Sequence, residues 1–85
     1  MILFVSGMSV KSSNAIVNLK HICDEHIKEA YDLRIVDINL EPSEAVGFQV
    51  IAIPTLIMTD TFGNKKTILG DLSDTEKVLR ILDLS

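Results

Sequence analysis

The first 38 residues show a strand pattern, then a helix pattern, then a second strand pattern, and this order limits the folds open to the chain. Residues 1–6 are almost entirely apolar, which predicts a strand buried on both faces. An amphipathic helix is predicted next, because apolar residues recur at intervals of three and four: Ala15, Ile16, Leu19, Ile22, Cys23 and Ile27. Residues 33–38 predict a second strand. A strand, a helix and a strand in this order form a βαβ unit with a right-handed crossover, so we expect the two strands to be parallel.

The beginnings of two helices are predicted from residues that cap helix N-termini. Gly7 ends the first strand, and Ser12 or Ser13 is predicted to cap the first helix, since a serine oxygen accepts from an otherwise unpaired backbone N–H. Ser73 and Glu76 fit a capping box at the start of a last helix. Both helices are therefore predicted to begin at a serine.

The second half of the chain predicts a hairpin. Residues 54–59 are rich in β-branched side chains and predict a third strand, and residues 60–64 predict a turn. Residues 65–69 predict a fourth strand, which so short a link makes antiparallel to the third. Residues 41–49 allow a short helix with Pro42 in its first turn.

The predicted order of elements is β-α-β-(α)-β-β-α, an α/β arrangement that is similar to the minimal thioredoxin fold. By that analogy we expect a four-stranded mixed sheet with strand order 2-1-3-4, although other small α/β sheets would also fit the pattern. Eighty-five residues suffice for one core, so residues 1–85 are expected to form one domain.

The sequence offers little for thiol or metal chemistry. A thioredoxin-type oxidoreductase carries its nucleophilic cysteine just after the first strand, where this chain has residues 7–12 and no thiol. The one cysteine, Cys23, is predicted to be a buried core residue of the first helix. No metal site is predicted, because the potential metal ligands near Cys23 point in different directions on a helix. They are His21, Asp24, Glu25 and His26. We expect no catalytic residue, no metal and no cofactor.

The composition limits the binding partners and the cellular compartment that are expected for this protein. The net charge of −4 and the pI of about 4.9 disfavour nucleic acid as a partner. The longest purely apolar run, residues 2–5, is far shorter than the ~20 residues of a membrane span, so no membrane association is expected. A lone cysteine fits a reducing cytoplasm.

Residues 53–55 read Ile-Pro-Thr and stand directly before the predicted third strand. Thioredoxin folds place a cis peptide bond at this point, so Pro54 and Thr55 are predicted to form a structural cis-proline site. The alternative is a trans proline that begins a strand.

Four segments along the chain match the pattern of a known family. They are Leu33-Arg-Ile-Val-Asp-Ile, Ala52-Ile-Pro-Thr-Leu56, Ile68-Leu-Gly-Asp-Leu-Ser-Asp-Thr-Glu-Lys-Val-Leu79 and Leu82-Asp-Leu84. Together they resemble the bacterial circadian clock family KaiB, and also the KaiB-like N-terminal domain of the sensor kinase SasA. The resemblance covers nearly the whole chain, and the segment from Gly70 to Leu79 is its most specific part.

The resemblance implies a non-enzymatic adaptor that binds the N-terminal ring of a KaiC-type ATPase and modulates its phosphorylation cycle. An interaction domain of a SasA-like kinase is the first alternative, and a thiol oxidoreductase using Cys23 is a more distant one. The expected partner-binding residues are those around Pro54 and five others: Asn14, Arg34, Gln49, Ile51 and Asp71.

The chain departs from the family at several of these positions. Asn14 stands where KaiB carries an arginine, and Gln49 stands where it carries a lysine. Asp32 replaces a small alanine beside the edge strand that can accept a partner strand in the family, while Arg34 keeps a basic residue there. A charge on an edge blunts strand addition, so the sequence disfavours a KaiA-type partner.

KaiB is also a fold-switching family, with a tetrameric form and a thioredoxin-like form. The last helix of this chain has Ile81 where typical KaiB has a glycine, and Ile81 and Asp83 are predicted to help decide the fold state. A glycine within a helix costs about 0.5–1 kcal/mol relative to alanine. We therefore expect the thioredoxin-like form, with strands and not helices through residues 54–69. A homo-oligomer is the alternative to a monomer.

Overall fold

The computed structural model describes residues 1–7, 9–27, 32–50, 52–59 and 62–82. Within these ranges the chain forms seven elements. They are β1 (Ile2–Val5), α1 (Val10–His26), β2 (Arg34–Asp37), α2 (Pro42–Gly47), β3 (Thr55–Thr59), β4 (Lys65–Leu69) and α3 (Thr75–Ile81). The predicted order of elements is confirmed. The predicted strands through residues 54–69 are confirmed as well, because β3 and β4 occupy that part of the chain.

The four strands form one mixed sheet in the order β2-β1-β3-β4. β1 runs parallel to β2 and antiparallel to β3, and β3 pairs antiparallel with β4. The sheet order 2-1-3-4 and the thioredoxin-like α/β fold are therefore confirmed. β1 is apolar because it has a strand on each side and side chains packed on both faces, with Leu3 and Phe4 fully buried.

The two faces of the sheet are covered unequally. α1 and α3 pack on one face over the larger core, which includes Leu3, Leu19 and Leu56. The other face carries a smaller cluster of Phe4, Val36 and Ile57, against which the short helix α2 and the chain after it place partly buried apolar side chains. α2 itself has no buried residue. The second face is consequently open over part of its area.

Both helix caps differ from the prediction. Ser9 caps α1, with its side chain accepting the Ser12 backbone N–H at 3.1 Å. Ser12 is instead fully buried inside the first turn, and its Oγ accepts the Ser6 backbone N–H at 3.0 Å. Asp74, not Ser73, caps α3 by accepting the Lys77 backbone N–H at 3.2 Å. A neighbouring side chain in the correct position took the capping role in each case.

Cys23 is fully buried in the larger core, as predicted. It lies well inside α1, away from the helix N-terminus at Ser9. In the ranges that the structure describes, no helix is both long and apolar enough to cross a membrane.

Candidate partner-binding surface

One end of the sheet gathers most of the predicted binding residues. β1 and β4 end here and β3 begins here, and the Gly70 backbone N–H donates to the Pro54 carbonyl at 3.0 Å. The Ile53–Pro54 peptide bond is cis. Pro54 and Thr55 are buried, and the Thr55 hydroxyl donates to the Ala52 carbonyl. The predicted cis-proline pair is therefore buried at this end of the sheet. The hydrogen bond between Gly70 and Pro54 joins the start of β3 to the end of β4.

Asn18 links α1 to the segment that follows β4. Its Nδ2 donates to the backbone carbonyl of Asp71 at 2.8 Å, a contact between residues 53 positions apart in sequence. Asn14 lies one helical turn before Asn18 on the exposed side of α1. The predicted residues Asn14 and Asp71 therefore belong to one neighbourhood of the surface.

The Asp71 carboxylate is part of the same surface. Hydrogen bonds from the Ser73 hydroxyl and from its backbone N–H, the latter at 3.1 Å, lower the pKa of Asp71 below its ordinary value of 3.8. The positive charge of Lys11 on α1 acts in the same direction. The surface thus keeps a negative charge beside the α1 side chains at any pH near neutral.

This geometry predicts the titration of Asp71. Because the folded pKa lies below the unfolded one, the carboxylate contributes stability that is complete above pH 3.8 and is lost as the pH falls through the folded value. Ser73→Ala removes the hydroxyl donor, so we expect it to raise the pKa of Asp71 towards 3.8. An NMR titration of the side-chain carboxyl carbon measures this, with the exposed Ser43→Ala as the matched control. A wild-type Asp71 that titrates at or above 3.8 would contradict the geometry.

Gln49 follows α2 on the other face of the sheet from α1, near Thr55 and Leu69. It is exposed and adopts a positive φ of 56°, a backbone region that non-glycine residues seldom occupy. Gln49 lies at the rim of a groove of about 330 Å³ between the chain after α2 and the last two strands. We call it the α2-side groove, and its lining consists of Phe48, Gln49, Val50, Thr55, Ile57, Thr67 and Leu69.

Arg34 lies at the opposite end of the sheet, where β2 begins opposite Ile2. Its Nη2 is 3.2 Å from Glu44 Oε1 and 3.7 Å from Glu41 Oε1. The guanidinium therefore ties the edge strand β2 to α2, and the structure does not bring it together with Asn14, Gln49 and Asp71. The arginine side chain is half-exposed, as is typical of a surface ion pair.

Two predicted residues, Ile51 and Asp83, lie outside the described residues. Ile81, the other predicted fold-state residue, is half-buried and packs against the larger core. Its side chain adds apolar contact where a glycine would add none.

Sequence reasoning did not single out Asn18 or Lys11 as members of this surface. One signal was available for Asn18, because asparagine is a weaker helix former than leucine or alanine and stands here in the middle of a helix. Its partner could not be named from sequence, since the accepting carbonyl lies in a distant loop.

The exposed side of α1 carries a pair of potential metal ligands. His21 Nε2 lies 3.1 Å from Glu25 Oε1 on the exposed side of α1, but no group of three or more potential ligands is assembled in the described part of the chain. The surface around Asn14, Asn18 and Asp71 presents amide and carboxylate groups to solvent. Such an arrangement is suited to recognition.

The family model of the KaiB domain matches residues 2–84. The circadian clock protein KaiB3 of Synechocystis is 38% identical over 82 residues, covering 96% of this chain and 79% of the relative. The circadian clock oscillator protein KaiB of Microcystis aeruginosa is 39% identical, with 96% and 78% covered. That of Synechococcus elongatus is 37% identical, with 96% and 79% covered. The profile match, these identities and the strand order together place the chain in the KaiB family.

Proposed function

We propose that this protein is a non-enzymatic clock or regulatory adaptor that binds the ring of a KaiC-type ATPase and modulates its phosphorylation cycle. The observation that carries the proposal is the family match over residues 2–84, together with relatives that are themselves named circadian clock proteins. The match covers 79% and 78% of the length of those two relatives, so most of each relative has a counterpart in this chain.

The proposed contact surface is the end of the sheet described above. It comprises Asp71, whose backbone carbonyl accepts from the Asn18 amide, Asn14 one helical turn before Asn18, and Gln49 at the rim of the α2-side groove. The proposed contact surface also includes Ile51 and the residues around Pro54. Since Asn14 and Gln49 are uncharged, the surface relies on amide hydrogen bonds and on the Asp71 carboxylate.

The position of Cys23 supports a role without thiol chemistry. A reactive cysteine is partly exposed and has a lowered pKa near a helix N-terminus or a cation. Cys23 is fully buried in the interior of α1 among apolar side chains. A cytoplasmic location, where thiols stay reduced, fits a protein whose only cysteine is used in this way.

The test is co-migration with the KaiC-type ATPase of the same organism in size-exclusion chromatography, with ATP and with ADP. We expect a complex with the wild type and about fivefold weaker binding for Asp71→Lys, since a reversed charge at an interface rim opposes the partner. Asp24→Lys is the matched control, because Asp24 is exposed near the other end of α1. We expect it to bind as the wild type does.

The phosphorylation state of the ATPase is followed over time in the same mixtures. The proposal expects the wild type and Asp24→Lys to change the time course, and Asp71→Lys to change it less. Failure of the wild type to co-migrate in either nucleotide state would reject the proposal. Equal binding by Asp71→Lys and Asp24→Lys would reject the proposed surface.

A further inference from the structure

β4 forms one edge of the sheet. It pairs with β3 along its full length, from Lys65 to Leu69, and no strand of the described residues lies on its other side. The outward backbone groups of such a strand can pair with an added chain. Strand addition at an edge obtains its affinity from these main-chain hydrogen bonds and its specificity from pockets for alternate side chains.

Grooves flank β4 on both faces of the sheet. On one face lies the α2-side groove, to which β4 contributes Thr67 and Leu69. The other face carries a smaller cavity of about 180 Å³, the α3-side groove, which lies between β4, the segment after it and α3. Its lining consists of Ile68, Leu69, Gly70, Asp71, Leu72, Ser73, Asp74, Lys77 and Val78. An extended chain beside β4 would point successive side chains to alternate faces, and so towards each groove in turn.

The charges along this edge indicate which chain would fit. Lys65 begins β4 on the face of the α2-side groove, whereas the α3-side groove has Lys77 together with Asp71 and Asp74, so the positive charge of this edge lies at the start of β4. Lys65 Nζ lies 5.1 Å from the centre of the Phe48 ring, which places a positive charge at the rim of the α2-side groove. A second copy of β4 would bring further lysines to the same edge, so the charge favours an acidic partner.

The register defines the sequence that this edge would recognise. Lys65, Thr67 and Leu69 alternate along β4 and share the face of the α2-side groove, where Thr67 is exposed and Leu69 is 52% exposed. A side chain opposite Lys65 therefore meets a positive charge. Side chains opposite Thr67 and Leu69 meet an apolar groove.

We propose that the β4 edge binds an extended peptide segment in which two apolar residues and one acidic residue alternate with other residues. The acidic residue lies opposite Lys65, and the apolar residues lie opposite Thr67 and Leu69 and fill the α2-side groove. The inference stands apart from the proposed clock role, since it concerns the chemistry of one strand edge and requires no KaiC-type protein.

The test uses the peptide Thr-Val-Thr-Val-Thr-Glu-Thr, which in antiparallel pairing places its glutamate opposite Lys65, and a control peptide with lysine in place of that glutamate. Amide chemical shifts of the isotope-labelled protein are followed during titration to millimolar peptide. We expect the shifts to concentrate in Lys65–Leu69 and the residues lining the α2-side groove, with weaker binding of the lysine peptide.

A charge exchange makes the test specific. For Lys65→Glu we expect about fivefold weaker binding of the glutamate peptide, because the attraction between residue 65 and the peptide glutamate becomes a repulsion. We expect tighter binding of the lysine peptide, because its repulsion by residue 65 becomes an attraction. Lys20→Glu on the exposed side of α1 is the matched control and should bind both peptides as the wild type does. The proposal is overturned by the absence of shifts, by shifts centred on Arg34–Asp37 in the other edge strand, or by equal behaviour of the two variants.

Discussion

Leu56→Ala is expected to lower the free energy of unfolding by about 2–5 kcal/mol. Leu56 is fully buried in β3, where it pairs with Leu3 of β1 and Ile68 of β4 on the face covered by α1 and α3. Truncation removes apolar surface from the larger core and leaves a cavity between strands that the paired backbone holds in place. Urea unfolding followed by circular dichroism measures the loss.

Leu40→Ala is the matched control for this prediction. The same atoms are removed, but Leu40 is 80% exposed in the segment after β2. We expect the control to change the free energy of unfolding by no more than about 0.5 kcal/mol. Similar losses for the two variants would mean that the larger core does not lie where the structure places it.

Ser12→Ala is expected to lower the free energy of unfolding by about 1–3 kcal/mol. Ser12 is fully buried, and its Oγ accepts the Ser6 backbone N–H at 3.0 Å. Alanine removes that acceptor and leaves the Ser6 N–H without its partner where β1 passes into α1. The higher helix propensity of alanine, about 0.5 kcal/mol, offsets only part of the loss.

Ser13→Ala provides the comparison. Ser13 is the neighbouring serine in the same turn and is exposed, and Ser9 caps the helix. We expect Ser13→Ala to leave the stability unchanged or slightly higher, as measured by thermal unfolding beside Ser12→Ala. A larger loss for Ser13→Ala than for Ser12→Ala would show that the cap is placed incorrectly.

The parallel pair, the hairpin and the burial of Cys23 could be predicted because they follow from local patterns, whereas the strand order 2-1-3-4 rested on the analogy to the thioredoxin fold. The apolar run, the helical stripe and the second strand determine a parallel pair. The short link between residues 59 and 65 determines an antiparallel hairpin, with its bounds given by β3 and β4. Cys23 lies on the same stripe as Leu19 and Ile22, so its burial follows from the helical period.

The helix caps and the relations among the surface residues could not be predicted in the same way. Ser9, Ser12 and Ser13 are equally good caps by local chemistry, and the position of the Ser6 N–H decides which of them turns inward. The Asn18–Asp71 contact joins segments 53 residues apart. Arg34 was predicted to bind a partner, but its pairing with Glu44 depends on where α2 packs.

The start of α1 retains the spacing of a dithiol motif without its sulfur. Ser9 is exposed at the N-terminus of the helix and Ser12 is buried three residues later, with the Ser9 Oγ accepting the Ser12 N–H. In a C-x-x-C motif the two cysteines have this same separation. Here both serine hydroxyls accept backbone N–H groups, that of Ser12 at Ser9 and that of Ser6 at Ser12. The two positions that hold sulfur for redox chemistry in such a motif therefore hold hydroxyl oxygens in this protein, and these oxygens fasten the start of the helix.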